Sequence, residues 1–173
     1  MFNPFKMPAF VLCVLITCLL PVRTGLAQTS NQVHEIERIK DWVVLCATEV
    51  IEPGQCYIAQ KINIRDTGQR LLTVIAGNIG MDNSRLLFFS MPLGIYLPAG
   101  MAFNIDGGNE RMLQVHTCVA DGCNANINLD DEMLESLKKG QQIKVAFLDA
   151  GNQKQITVDV SLQGFRNAFD SLK

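Results

Sequence analysis

The sequence predicts a mainly β protein: a single antiparallel β-sandwich or barrel-like domain with two short helices, a split α+β arrangement being the alternative. Three observations carry this. About eight or nine short segments rich in β-branched and aromatic residues follow one another closely, and Gly, Pro, Asn and Asp turn chemistry separates them. Strands alternating regularly with long helices, as a parallel sheet needs for its crossovers, are missing.

Taken in order, Gln28 to Ile39 is polar without a sustained period, which predicts a flexible lead-in over residues 28–40 with one helical turn at His34–Lys40. The β-rich domain then runs over residues 41–173. Trp42–Thr48 and Cys56–Ile64 read as the arms of a hairpin turned by Glu52-Pro53-Gly54-Gln55, with Cys56, Ile58, Gln60, Ile62 and Ile64 on one face of the second arm. Arg70–Ile79 is a further strand after the Asp66-Thr67-Gly68 turn. Arg85–Pro92, with Leu86-Leu87-Phe88-Phe89, is apolar on both faces, as a strand buried between layers would be. Short extended pieces are expected at Gly94–Leu97 and Met101–Ile105, and Met112–Cys118 and Asn124–Asn128 flank the tight-turn signal Asp121-Gly122. A helix follows, with Asp130-Asp131-Glu132 at its start, Lys138-Lys139 at its end and Gly140 stopping it, and with Leu134 and Leu137 as its buried stripe. Gln142–Leu148 and Gln155–Val160 are strands, the second with the alternation of a half-buried edge. Phe165, Ala168, Phe169 and Leu172 form the i, i+3, i+4, i+7 stripe of a terminal helix.

Residues 1–27 have the build of a secretory signal peptide: Lys6, an apolar run from Pro8 to Val22, and small residues ending at Ala27. That run is too short for a permanent membrane span, and Thr17 before Cys18 argues against a lipoprotein box. Cleavage after Ala27 leaves 146 of the 173 residues and four of the six cysteines, with 13 Lys and Arg against 17 Asp and Glu, a formal charge of −4. Such a chain can bury a substantial single core, and its acidity excludes a large basic surface for nucleic acid. The mature chain is expected to have no transmembrane span.

An exported chain meets an oxidising compartment, where its cysteines pair. Four allow three connectivities. Cys46 and Cys56 lie on the two arms of one predicted hairpin, and Cys118 and Cys123 bracket the turn of another, so Cys46–Cys56 and Cys118–Cys123 are the expected disulfides. The off-centre Pro53-Gly54 suggests a bulge in the first.

Signals for catalysis are missing. Neither cysteine spacing is a Cys-x-x-Cys redox pair, and no Gly-x-Ser-x-Gly elbow, phosphate loop, dinucleotide fingerprint or calcium loop occurs. His34 and His116 are the only histidines, and a helix start explains Asp130, Asp131 and Glu132. No enzyme, metal or cofactor is expected. The stretch Leu86–Phe103 is the candidate for an interaction function, with Phe88, Phe89, Met91 and Tyr96 as partner-binding residues. Its bland reading is the centre of a sandwich core, and solvent exposure of Phe88 or Phe89 separates the two.

Asp41-Trp42 with Cys46, Gln55-Cys56-Tyr57-Ile58, and Pro92-Leu93-Gly94-Ile95-Tyr96-Leu97-Pro98-Ala99-Gly100 follow one another in this order. Asp106-Gly107-Gly108, Cys118-Val119-Ala120-Asp121-Gly122-Cys123 and Ser161-Leu162-Gln163-Gly164-Phe165-Arg166-Asn167-Ala168-Phe169 complete the set. Together they resemble the invasion-associated locus B proteins of Gram-negative bacteria. The resemblance implies an exported, disulfide-containing, β-rich protein of the periplasm, the outer surface or the medium. It transfers no catalytic residue and no cofactor. The function it implies is that of a non-catalytic envelope or secreted binding protein with a role in host-cell invasion, meeting a protein partner and touching an outer-membrane or host surface. The alternative is a periplasmic accessory or chaperone-like factor for envelope assembly.

Overall fold

The computed structural model describes residues 33–47, 55–79 and 83–172, which belong to one compact unit. The leader expected over residues 1–27 and most of the turn expected at Glu52–Gln55 lie outside the described residues. The described chain forms strands β1 (Val33–Ile39), β2 (Trp42–Ala47), β3 (Cys56–Asn63), β4 (Arg70–Asn78), β5 (Arg85–Met91), β6 (Met101–Ile105), β7 (Arg111–Leu113), β8 (Thr117–Val119) and β9 (Gly122–Asn128). Helix α1 (Asp131–Lys139), strands β10 (Gln142–Leu148) and β11 (Gln155–Ser161), and helix α2 (Phe165–Asp170) follow.

All strand pairs are antiparallel, and they make two sheets. The large one has seven strands in the order β1-β2-β3-β4-β5-β9-β8, the small one four in the order β11-β10-β6-β7. Alternation decides what each sheet turns inward. Trp42 and Val44, Ile58, Leu72-x-Val74-x-Ala76, Leu87-x-Phe89-x-Met91 and Ala125 of the large sheet are buried in one hydrophobic cluster with Met101, Phe103, Ile143, Val145, Phe147, Val158 and Val160 of the small one. The ring centroids of Phe89 and Phe103 lie 5.2 Å apart across that cluster. This is the β-sandwich the sequence predicts.

The helices close one end of the core. Asp130 caps α1 by accepting from the Met133 N–H at 2.7 Å, and Met133, Leu134 and Leu137 are buried. Gly164 at φ 91° opens α2, whose Phe165 meets Trp42 edge to face at 5.0 Å. Lys138 of α1 ties the helices together, 2.6 Å from the Asp170 carboxylate and 5.6 Å from the Phe169 ring centroid.

Four local expectations are corrected. His34–Lys40 is not a helical turn: Val33–Ile39 pairs with β2 as the edge of the large sheet, its bulge between Glu35 and Glu37 interrupting any alternation. Met112–Cys118 is not one strand, because the chain leaves the small sheet after Leu113 and joins the large one at Thr117. Gly94–Leu97 contributes only a bridge, Ile95 to Asp149, before a 3₁₀ turn at Leu97–Ala99. Among the described residues, Arg85–Met91 is covered by a second layer on one face only. Leu87, Phe89 and Met91 face the core, whereas Leu86 and Phe88 are half-buried on the other side of the sheet.

Candidate functional site

That other side of the large sheet carries a cavity of about 620 Å³, within the range of about 300–1,000 Å³ typical of small-molecule sites. Strand register lays it out in rungs. Lys61, Thr73, Ser90 and Asn124 stand opposite one another in the first. Val43, Ala59, Ile75 and Phe88 form the second, Arg38 standing beyond Val43 on β1. In the third, Leu45, Tyr57 and Gly77 are in register. The floor is thus polar at one end and apolar over the next two rungs, because the residues skipped by the inward-facing set fall on this face.

Gly77 is required by this layout. A Cβ there would lie 2.9 Å from the Tyr57 Cβ, so only glycine lets β4 pass this close to Tyr57 in the third rung. Burial pushes the Tyr57 phenol above its ordinary titration range, since a desolvated phenolate is disfavoured. In the first rung the Thr73 hydroxyl oxygen is sealed from solvent and has no hydrogen-bond partner.

The charged residues of the rim divide into paired and unpaired. Arg38 lies 3.3 Å from Glu35 on β1. Arg70, at the start of β4, lies 3.0 Å from the Asp121 carboxylate and also donates to the Asp121 carbonyl, so it latches the β8–β9 turn across β5. Gly122 permits that turn: its φ is 141°, and a Cβ there would collide with the Met91 carbonyl. Asp41 and Lys61 also line the cavity and make no ion pair among the described residues. Asp41 immediately precedes β2 and Lys61 follows Ala59 by two residues on β3, so both belong to the end of the β2–β3 ladder that closes at Val43–Ala59.

Of the residues singled out from sequence, Phe88 lines this cavity. Phe89 and Met91 are wholly buried in the core and offer no surface. Tyr96 is half-buried in the segment after β5, where its N–H donates to Leu148 O at 2.8 Å. Cys46 is joined to Cys56, with Cα atoms 4.1 Å apart in direct register on β2 and β3, and no bulge interrupts that pair. Cys118 is joined to Cys123 across β8 and β9 at 4.0 Å. His116 is exposed beside β8, its backbone N–H donating to Asn124 O at 2.9 Å. Asp131 pairs with Arg85 at 2.6 Å, so this part of the acidic run has a structural partner. Among the described residues no three His, Cys, Asp or Glu side chains cluster to hold a metal, and no helix is long and apolar enough to cross a membrane.

Sequence reasoning missed Tyr57, Lys61, Thr73 and Ile75. Their signal is the alternation itself: each occupies a position between inward-facing residues yet is aromatic, β-branched or long.

Fold and face together define a class: a two-sheet antiparallel β protein, stapled by two disulfides, with a cavity on the side of its larger sheet that faces away from the shared core. Within that class the chain belongs to the Invasion associated locus B (IalB) protein family, which it matches over residues 42–173. It is 30% identical over 139 residues to the invasion protein B homolog of Brucella abortus, covering 79% of this chain and 78% of that protein, and two strains of that organism carry the match at the same level. The crystal structure of invasion associated protein B from Bartonella henselae superposes with a TM-score of 0.67 at 22% identity, covering 79% of this chain and 94% of that one.

Proposed function

We propose that the protein is a non-catalytic, exported binding protein of the Gram-negative envelope that meets its partner on the outer face of the large sheet and contributes to host-cell invasion. The observation that carries the binding reading is the cavity-bearing face itself, with Val43, Ala59, Ile75 and Phe88 side by side and no strand or helix among the described residues laid over them. Val43, Ile75 and Phe88 are each half-buried, so the cavity offers a partner apolar side chains with area left to cover, set among a few polar groups as in binding sites generally. Export is supported by the leader-like first 27 residues and by two disulfides, which persist in oxidising compartments. Invasion is supported by the names of the Brucella and Bartonella relatives.

The test is affinity capture from intact cells, with and without host cells, using the exported protein and its Phe88→Ser variant. The variant keeps the wild-type far-ultraviolet dichroism and melting behaviour and loses a specific partner that the wild type retains. A partner set indifferent to the substitution, or no specific partner in either condition, rules the reading out. Cell fractionation places the protein in the periplasm, on the surface or in the medium; a cytoplasmic location would contradict export.

A further inference from the structure

We propose that the cavity on the large sheet binds a single-chain amphiphile with a zwitterionic head, the head at the Asp41–Lys61 corner and the chain running over Ile75 toward Phe88. The inference rests on the reading of this face as the binding surface and names its occupant.

The charges select the head. Six ionisable side chains line the cavity besides Tyr57: Glu35, Arg38, Asp41, Lys61, Arg70 and Asp121. Arg38–Glu35 and Arg70–Asp121 already neutralise one another, at 3.3 and 3.0 Å. That leaves one cation and one carboxylate, Lys61 and Asp41, both lining the cavity and without an ion pair among the described residues. A purely anionic head would satisfy Lys61 and be repelled by Asp41, and a purely cationic head the reverse. A phosphoethanolamine satisfies both, its phosphate at Lys61 and its ammonium at Asp41.

The first rung supplies a second, independent feature. Thr73 stands directly across from Lys61, and its hydroxyl is the side-chain polar atom found buried without a hydrogen-bond partner among the described residues. Buried polar groups are nearly always satisfied, and Thr73 lines the cavity beside Lys61. A phosphate oxygen at this rung would accept from Lys61 and, with the hydroxyl turned toward it, from Thr73.

The next rungs suit the chain. From Lys61 on β3 to Phe88 on β5 the path crosses two strand spacings and advances two residues, about 12 Å on a surface with strands about 4.8 Å apart and a rise of about 3.3 Å per residue. Ala59, Ile75 and Phe88 offer a continuous apolar track over that distance, and the cavity's 620 Å³ is the scale of one chain.

The test is calorimetric titration of the full chain, exported and free of detergent, with dodecyl amphiphiles that share one tail, held below their micellar concentrations. The heads are phosphoethanolamine, phosphate, ammonium and maltoside. The zwitterion binds tightest. Lys61→Gln weakens phosphoethanolamine and phosphate about tenfold, the loss of one charge-assisted hydrogen bond, and spares the ammonium head. Asp41→Asn weakens phosphoethanolamine and the ammonium head and spares phosphate. Shortening the tail weakens binding about fourfold per methylene, equivalent to about 0.8 kcal/mol. Both substituted residues are exposed, so the variants fold. No saturable binding with any head, or the same head order in all three proteins, overturns the inference. If no amphiphile binds while capture of a protein partner remains sensitive to Phe88→Ser, this inference fails and the binding reading stands.

Discussion

Gln60 is the polar member of an otherwise apolar face of β3, and it is buried. Its amide reproduces a strand pairing: Nε2 donates to the Ser161 carbonyl at 2.9 Å, and Oε1 accepts from the Ser161 N–H at 3.1 Å. Trp42 Nε1 donates to the same carbonyl at 3.0 Å. One side chain of the large sheet thereby satisfies the free backbone edge of β11 and fixes where the two layers meet. Gln60→Leu keeps the volume and leaves the Ser161 N–H unpartnered, so it lowers stability by about 1–3 kcal/mol, measured as a reduced urea midpoint at unchanged slope. An unchanged midpoint would show that water replaces the amide. The sequence shows Gln60 on an apolar face but not its purpose, because Ser161 lies 101 residues away.

At the scale of elements, the disulfides act on hairpins of different standing. Cys46–Cys56 closes the β2–β3 hairpin in the interior of the large sheet, with a sequence separation of 10, whereas Cys118–Cys123 closes one of separation 5 and holds β8, three exposed residues at the sheet edge. Loop-closure entropy gives about 3 kcal/mol for the first and about 2 kcal/mol for the second. The paired Cys→Ala variants are therefore expected to lose stability in that order in chemical denaturation. Losing Cys118–Cys123 also raises amide exchange at Thr117–Val119, with little change in β3; the opposite order would mean that native packing outweighs chain entropy.

How much of these elements is legible in sequence depends on how local their cause is. Helix α1, with its Asp130 cap and Gly140 stop, and β10, with its alternating burial, are readable because capping and amphipathicity act within a few residues. β1 is not readable: from His34 to Arg38 every residue is exposed, and only its partner β2 makes it a strand. The cavity is legible only in pieces. Phe88 and Phe89 are neighbours of one type, and which faces the core follows from register with Val74 and Ile75, not from either residue. An apolar run on both faces fits a strand between two layers and a strand with one layer and an open cavity equally well.

For the whole molecule, the proposed export and the architecture bear on one another. A sandwich whose hairpins are closed by Cys46–Cys56 and Cys118–Cys123 reaches full stability only where thiols oxidise. On the proposed leader cleavage, intact-mass measurement of the protein from the cell envelope finds a chain beginning at Gln28, lighter by two disulfides' worth of hydrogen than its reduced form. A mass that retains Met1, or free thiols at these four positions, would contradict the export proposal.

The margins of the large sheet have a consequence for crowding. At one margin β1 is broken by a bulge and lined with Glu35, Glu37 and Arg38; at the other β8 is three residues long and pinned by its disulfide and by the Arg70 latch on the following turn. Neither presents the long, flat, unpaired backbone that a second copy needs to continue the ladder. The large sheet is therefore guarded at both margins against growing edge to edge into fibrils, even at high local concentration.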